Sequence, residues 1–454
     1  MSAFDAIFIG AGQAGPFLAA RMASTGRKVA LIERKYLGGT CVNAGCMPTK
    51  ALVASARTAH VARRASDYGV VIPGEIGIDM KTVQGRAEKV TLDARKGLET
   101  WFSGLDSMSV IYGQGKFEDP NTVVVNGARL TAPQIFINVG ARPSIPDYPG
   151  LASVPYLTST SIIHLTVVPR HLVVIGGSYI GLEFAQMYRR FGAEVTVVER
   201  GSHLASREDE DVSDAIADII HAEGIAVQTE ATGLSFRKTS DDIEVTTGIG
   251  TIVASHVLIA TGRQPNTDDL GLEAAGVETD GKGFIIVDDS LSTNVTGIWA
   301  LGDCNGHGAF THTSYNDFEI VAANLLDGAD HKLSDRIPAY ALYIDPPLGR
   351  VGMTERQARA SGRPILVSTR PMSRVGRAVE KGETQGFMKL VADAETRQIL
   401  GAAILGIEGD EAIHGIIDAM NARTPYPTLQ WSVPIHPTVS ELVPTLIGDL
   451  RSAS

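Results

Sequence analysis

Two strand–glycine turn–helix–strand segments, spaced by one constant interval and followed by a strand-rich last region, predict an α/β fold with two Rossmann-like units. In the first segment, residues 4–9 read as a short buried strand and Gly10-Ala-Gly12-Gln-Ala-Gly15 as a turn. Residues 17–25 then read as a helix, and 28–32 as a second strand ending at Glu33. The second segment repeats this with a strand at 171–175, the turn Gly176-Gly177-Ser178-Tyr179-Ile180-Gly181, a helix at 182–191 and a strand at 194–198 that ends at Glu199. Gly10 and Gly176, Gly15 and Gly181, and Glu33 and Glu199 are each 166 residues apart. In such a unit the glycines let backbone approach a pyrophosphate, the helix N-terminus faces its charge, and the acid accepts from ribose hydroxyls. Two units in equal register imply two dinucleotides, the need of an enzyme that passes electrons between them. Ser178 replaces the middle glycine of the second turn, and serine is small enough to keep close approach open.

After the first unit comes Gly38-Gly39-Thr40-Cys41-Val-Asn-Ala-Gly45-Cys46-Met-Pro48-Thr-Lys50, which holds two of the three cysteines. A disulfide needs Cα atoms within about 7 Å. Residues five apart are about 7.5 Å apart along a helix axis and about 16 Å along a strand. Pairing therefore requires the backbone to curl, and Ala44-Gly45 is where it can. Pro48 suits the first turn of a helix, whose N-terminus favours thiolate nearby, and Lys50 adds a cation. On this stretch alone a labile redox disulfide and a pair of inert buried thiols both stay open. A structural zinc site usually needs four ligands, and no second cysteine pair exists.

Residues 51–68 and 80–102 read as helices. Residues 109–125 read as strands and turns containing Gly113-Gln-Gly115, and 131–139 as a strand ending in Gly140-Ala-Arg142-Pro143. A strand at 257–260 leads to Thr261-Gly262-Arg263-Gln-Pro265 in the same way, and both exits look like crossings between domains. The strand before Gly302-Asp303-Cys304 precedes a helix from about 314 to 326. Beyond 337 come strands at 365–369, 387–391 and 399–404, two helices, and His436-Pro-Thr-Val-Ser-Glu441.

At 454 residues the chain has room for about three domains. With 40 basic and 51 acidic residues its net charge is −11, which argues against a nucleic-acid partner. Three cysteines do not describe a secreted, disulfide-stapled protein. Residues 6–20 lack a basic start and are broken by glycine and proline, so no signal peptide is read, and no apolar run reaches membrane-spanning length. A cytoplasmic location without membrane contact is expected.

Two nucleotide units and a Cys-x4-Cys segment make the chain resemble the flavin-dependent pyridine nucleotide–disulfide oxidoreductases, which include dihydrolipoamide dehydrogenase, glutathione reductase and mercuric reductase. The resemblance runs from Gly10 to Glu441 and is most specific at 38–50 and 436–441. It implies an FAD-binding domain whose first part is 1–145, an NAD(P)-binding domain at 146–265, and a return to the FAD-binding central part at 266–336. A C-terminal α+β interface domain at 337–454 would make a homodimer with a shared active site.

By the same resemblance, Gly10, Gly12 and Gly15 would face the FAD pyrophosphate and Glu33 its ribose. Gly39, Thr40, Gly115 and Gly140 would lie along that cofactor, with Asp303 on the ribityl chain. Gly176, Tyr179, Gly181, Glu199, Arg200 and Gly262 would form the NAD(P) site, Tyr179 as an aromatic gate over the flavin. Cys41 would be the thiol that attacks substrate and Cys46 the thiolate against the flavin. Lys50 would pair with Glu183 beside them. His436, oriented by Glu441 and supplied by the other subunit, would be the acid–base partner of Cys41. The chemistry asks for these types independently: thiolate attack needs an adjacent base, and histidine titrates near neutrality.

Glu199 would repel a 2′-phosphate and favours NADH, whereas Arg200 pulls toward NADPH; NADH is the expected donor. The substrate is expected to be a small disulfide or a thiol-reactive metal ion. Ser178 and Asp345-Pro-Pro-Leu-Gly-Arg-Val-Gly352 sit closer to mercuric-reductase-like proteins, and Pro434 stands where dihydrolipoamide dehydrogenase has a second histidine. The closing residues 450–454 carry no thiol for a C-terminal relay. The alternative is a flavoprotein redox sensor or electron-transfer partner without a dedicated substrate.

Overall fold

The structure, a computed structural model, describes residues 2–452. Its first sheet has five parallel strands in the spatial order Ile298–Ala300, Gln134–Ile137, Ala6–Ile9, Val29–Glu33 and Met108–Tyr112. Ala6–Ile9 and Val29–Glu33 are buried throughout, because a parallel sheet is covered on both faces, and so they read as continuous apolar runs. Phe8 stacks on Phe136 at 4.6 Å and Phe136 on Trp299 at 5.0 Å. Each such pair adds about 0.5–1.5 kcal/mol beyond burial, tying three neighbouring strands together.

The second sheet, also parallel, runs Tyr156–Thr158, His256–Ile259, His171–Ile175, Glu194–Val198, Ala226–Gln228. In both sheets the glycine turn leaves the strand at which the spatial order reverses, the place where open α/β sheets bind ligands. The two expected crossings pair with each other: Ala141–Pro143 and Arg263–Pro265 form an antiparallel ribbon. A six-stranded antiparallel sheet ends the chain, in the order Ala339–Leu342, Leu348–Gly352, Ile399–Leu405, Phe387–Asp393, Ile365–Pro371, Arg451–Ser452. Three of these six strands are absent from the sequence reading.

The helices that shape the site are α1 (Gly15–Ser24), α2 (Gly39–Ala44), α3 (Cys46–Arg63) and α4 (Met80–Ser103). The helix expected at 51–68 thus starts five residues earlier, and its last turn, Ala65–Tyr68, is a 3-10 turn closed by Gly69 at φ +73°. The strand expected at 131–139 is really two. Ala128–Thr131 belongs to a separate sheet and Gln134–Ile137 to the parallel one, because Pro133 between them has no N–H to continue a ladder. The helix expected from 314 begins at Thr311 and runs to Leu326. Among the described residues no helix is long and apolar enough to cross a membrane.

Candidate active site

Helix α2 ends at Ala44 and α3 begins at Cys46, so the curl expected at residues 44–45 is made by Gly45. A Cβ on Gly45 would lie 2.9 Å from the Thr40 carbonyl oxygen, which closes this bend to any other residue. Cys46 is therefore the first residue of α3, at the positive end of its dipole. Cys41 and Cys46 stand in the structure as thiols within hydrogen-bonding reach of each other.

That hydrogen bond from Cys41 lowers the Cys46 pKa to about 6 against the opposing effect of burial, with Thr311 and the Lys50 charge assisting. Cys46 Sγ lies 3.2 Å from Thr311 Oγ1. Cys41 shifts upward, chiefly because its proton is held by Cys46. The pair therefore releases its first proton as a unit, and the charge rests at the Cys46 end. Lys50 Nζ donates to Glu183 Oε2 at 2.5 Å and sits 4.3 Å from the centre of the Tyr343 ring. The Tyr343 backbone N–H donates to the other Glu183 oxygen at 3.0 Å, fixing the carboxylate.

A titration follows from this geometry. Alkylation of Cys46 in the reduced protein is expected to rise with pH through a midpoint of about 6 and then level off, since thiolate is the reactive form. Thr311→Val is expected to move that midpoint upward, measured by quantitative mass spectrometry of the labelled peptide.

Both thiols, Lys50, Glu183 and the two glycine turns open on one continuous cavity of about 1840 Å³. Single small-ligand sites hold about 300–1,000 Å³, so this one has room for two extended molecules meeting at the thiols. Gly10, Gly12, Glu33, Gly39, Thr40, Gly115, Gly140 and Asp303 line one arm of it; Gly176, Tyr179, Glu199, Arg200 and Gly262 also face it. Gly15 and Gly181 do not. Cβ atoms there would meet the carbonyl oxygens of Gly10 and Gly176 at 3.0 and 2.0 Å, so these glycines seat each helix against its own turn. Glu33 accepts from the N–H groups of Ala11 (2.9 Å) and Lys35 (2.7 Å). Glu199 accepts likewise from Gly177 and Gly201, both at 2.7 Å. Asp303 lies 3.3 Å from Arg263, and burial pushes its carboxyl upward against that pull.

His436 and Glu441 pair at 2.8 Å, but this pair is not brought into the cavity of its own chain, and the His436 side chain is 77% exposed. Just before it, Trp431, Val433 and Ile435 are 84%, 97% and 79% exposed. An apolar run of this kind is the mark of a surface that another molecule covers.

Two site residues escaped the sequence reading. One is Thr311. The other is Asn138, whose Oδ1 accepts from the N–H groups of Ala14 (3.4 Å) and Gly15 (2.9 Å) at the start of α1. Its Nδ2 donates to the Leu301 carbonyl at 2.8 Å. Asn138 also explains why the two turns differ. A Cβ on Gly12 would lie 2.7 Å from Asn138 Oδ1, whereas Ala260, which meets Gly176 as Asn138 meets Gly10, carries only a methyl group in place of the amide. Gly12→Ala is accordingly expected to cost about 1–3 kcal/mol by overpacking and to weaken flavin retention. Ser178→Gly is expected to leave the thermal midpoint unchanged in the same scan.

Residues 4–317 match the family model described as pyridine nucleotide-disulphide oxidoreductase. Residues 338–447 match that family's dimerisation domain. The chain belongs to the pyridine nucleotide-disulphide oxidoreductases. Among relatives of this oxidoreductase, the probable pyridine nucleotide-disulfide oxidoreductase RclA of Escherichia coli is 35% identical over 97% of this chain and 98% of that one. Mercuric reductase of Bacillus cereus is 34% identical over 90% of this chain and 66% of that protein. Dihydrolipoyl dehydrogenase of Chlamydia pneumoniae is 32% identical over 97% and 95%. A solved structure described as the Cu(II) complex of HOCl-induced flavoprotein disulfide reductase RclA from E. coli superposes with a TM-score of 0.91, at 34% identity and 99% coverage of both chains. The oxidoreductase is thus a flavoenzyme that uses FAD and NAD(P)H, with a C-terminal domain of the dimerising type. The paired glycine turns, their terminal acids and the shared cavity fit two such dinucleotides.

Proposed function

We propose that this enzyme sends electrons from NADH through FAD and the Cys41/Cys46 pair to a thiol-reactive acceptor, and that the acceptor is a thiol-binding metal ion such as Cu(II) or Hg(II). The observation that carries this is the Cys46 thiol, lowered to about 6 between Cys41, Thr311 and Lys50 on the wall of the dinucleotide cavity. Bound FAD supplies the two-electron relay between nicotinamide and sulfur. Gly10, Gly12 and Glu33 bind it, and Asp303 with Arg263 orients it. Lys50, held by Glu183, keeps positive charge beside the Cys46 thiolate. Tyr179 covers the nicotinamide approach, and Glu199 selects the donor without a 2′-phosphate. Arg200 and Arg207, which form no ion pair among the described residues, flank that end of the cavity.

Cys41 meets the acceptor, with its proton taken by the partner subunit's His436. Oxidation of the dithiol to the disulfide by two Cu(II) yields two Cu(I) and releases two protons; Hg(II) would take both electrons alone. A small disulfide would instead be attacked by Cys41 and leave as two thiols as Cys46 closes the bridge. The metal reading is preferred because the RclA structure is a Cu(II) complex and mercuric reductases are among the relatives. The exposed apolar run at 431–435 supports the pairing of two subunits around His436.

Steady-state turnover with NADH against Cu(II), Hg(II), lipoamide and glutathione disulfide tests this directly. A kcat/KM at least about tenfold higher for one of the metal ions is expected, given that 1.4 kcal/mol of discrimination is tenfold. Faster turnover with either disulfide would reject the metal assignment. A kcat/KM higher for NADPH than NADH would reject the role given to Glu199.

A further inference from the structure

Glu208 is a buried carboxylate that the proposed electron path leaves unused. It is 1% exposed, and four donors converge on its two oxygens. Tyr179 and Tyr340 donate their hydroxyls to Oε1 at 2.8 and 2.7 Å. Arg350 donates Nε and Nη2 to Oε2 at 2.9 and 2.5 Å. Arg350 is itself 1% exposed. A charge this deep is tolerated only when it is matched, and the arginine does that while leaving Oε1 a strong acceptor for both hydroxyls.

The four residues come from separate parts of the chain. Tyr179 opens the helix Tyr179–Phe191 beside the second glycine turn and lines the dinucleotide cavity. Tyr340 and Arg350 stand on Ala339–Leu342 and Leu348–Gly352 of the C-terminal sheet. The loop that carries Glu208 is clasped to the same turn, because the Ala205 N–H donates to the Gly177 carbonyl at 2.8 Å. The two tyrosine rings pack on each other with centroids 5.3 Å apart. Tyr340 is stacked on Phe310, with centroids 5.7 Å apart and planes 9° apart. Tyr179 faces the cavity.

We propose that Glu208, charge-matched by Arg350, is a positioning residue that latches Tyr179 over the cavity, so that an entering nicotinamide must break the Tyr179–Glu208 hydrogen bond. This rests on Tyr179 being the gate, as proposed above. The latch lowers the apparent affinity for nicotinamide by the fraction of molecules in which the ring is released. It also explains why two hydroxyls share one oxygen: Tyr340 competes for Oε1 and weakens the hold on Tyr179.

Two measurements on the FAD-loaded dimer test the latch. Calorimetry with redox-inert tetrahydro-NADH reads binding alone. Anaerobic stopped-flow reduction by NADH separates the dissociation constant from the limiting rate. Tyr179→Phe keeps the ring and removes the tether, so about tenfold tighter binding is expected, as for loss of one hydrogen bond to a charged group. Tyr340→Phe removes the competitor and is expected to weaken binding by about threefold at constant limiting rate. These opposite signs are what a merely structural role would not produce, and unchanged dissociation constants in both variants would overturn the latch. Tyr179→Ala separates the two levels of the argument. A shift there without one in Tyr179→Phe keeps the gate and rejects the latch, whereas no shift in either rejects the gate itself. Glu208→Gln removes the closer of the two carboxylates facing Arg350, the other being Asp209 at 3.7 Å; should it fail to fold, the two phenylalanine variants still decide the matter.

Discussion

Cys46→Ser is expected to abolish acceptor reduction, by at least about 10³-fold, while flavin binding and reduction by NADH persist. Serine fits the space, so Gly45, Thr40 and the start of α3 keep their packing. What disappears is the group that ionises at about pH 6 under the pull of Cys41, Thr311 and Lys50. Reduced parent enzyme is expected to show long-wavelength thiolate–flavin absorbance, and Cys46→Ser to lack it. Cys41→Ser is expected to lose turnover equally but to keep the absorbance, since the Cys46 thiolate remains beside Lys50 and Thr311. With a disulfide substrate the two also part by mass spectrometry: Cys46→Ser leaves Cys41 able to attack but not to be released, so a mixed disulfide accumulates on Cys41 alone. Absorbance of unchanged intensity in Cys46→Ser would remove that residue from its assigned place.

How much of this site could be read without coordinates depends on the kind of interaction. Gly10, Gly12 and Glu33 were legible because backbone approach and ribose recognition act over a short stretch of chain and leave a fixed spacing. The 166-residue repeat doubled that signal. Cys41 and Cys46 were legible as a pair, and the bend at Gly45 followed from geometry alone. Asn138 and Thr311 were not. Asn138 acts on α1 from 123 residues away, and Thr311 meets Cys46 across 265, with nothing in their own neighbourhoods to mark them. Asn138 has no counterpart at the repeat interval either, because Ala260 takes its place relative to the second turn.

The same limit applied to the C-terminal sheet. Phe387–Asp393 and Ile399–Leu405 announce themselves as apolar runs buried along nearly their whole length. Ala339–Leu342 and Arg451–Ser452 are edge strands, only half-buried or exposed, and their identity as strands is decided by pairing partners far away in sequence. For the helix that starts at Cys46, Pro48 marked the first turn but not the exact boundary. A helix start set by a glycine reversal carries no side-chain cap, and α3 has none.

His436→Ala is expected to slow acceptor reduction by about 10²–10⁴-fold, the usual contribution of a positioned acid–base group, with flavin reduction by NADH unchanged. The pair His436–Glu441 is formed at 2.8 Å beside the exposed Trp431, Val433 and Ile435, and the proposal has it serve the cavity of the other subunit. That idea can be tested without a structure of the dimer. Mixing Cys46→Ser with His436→Ala chains under refolding or co-expression gives hybrid dimers in which one active site combines an intact thiol pair with an intact histidine. The other site carries both defects. Random assortment makes half the dimers hybrid, so about a quarter of parental activity is expected to return from two nearly inactive proteins, as two-fold symmetry requires. If His436 instead acted on its own chain, every site in the mixture would keep one defect and no activity would return. Equal loss of flavin reduction and acceptor reduction in His436→Ala would point away from proton transfer and toward a dimer that no longer assembles, which sedimentation of the variant would then show.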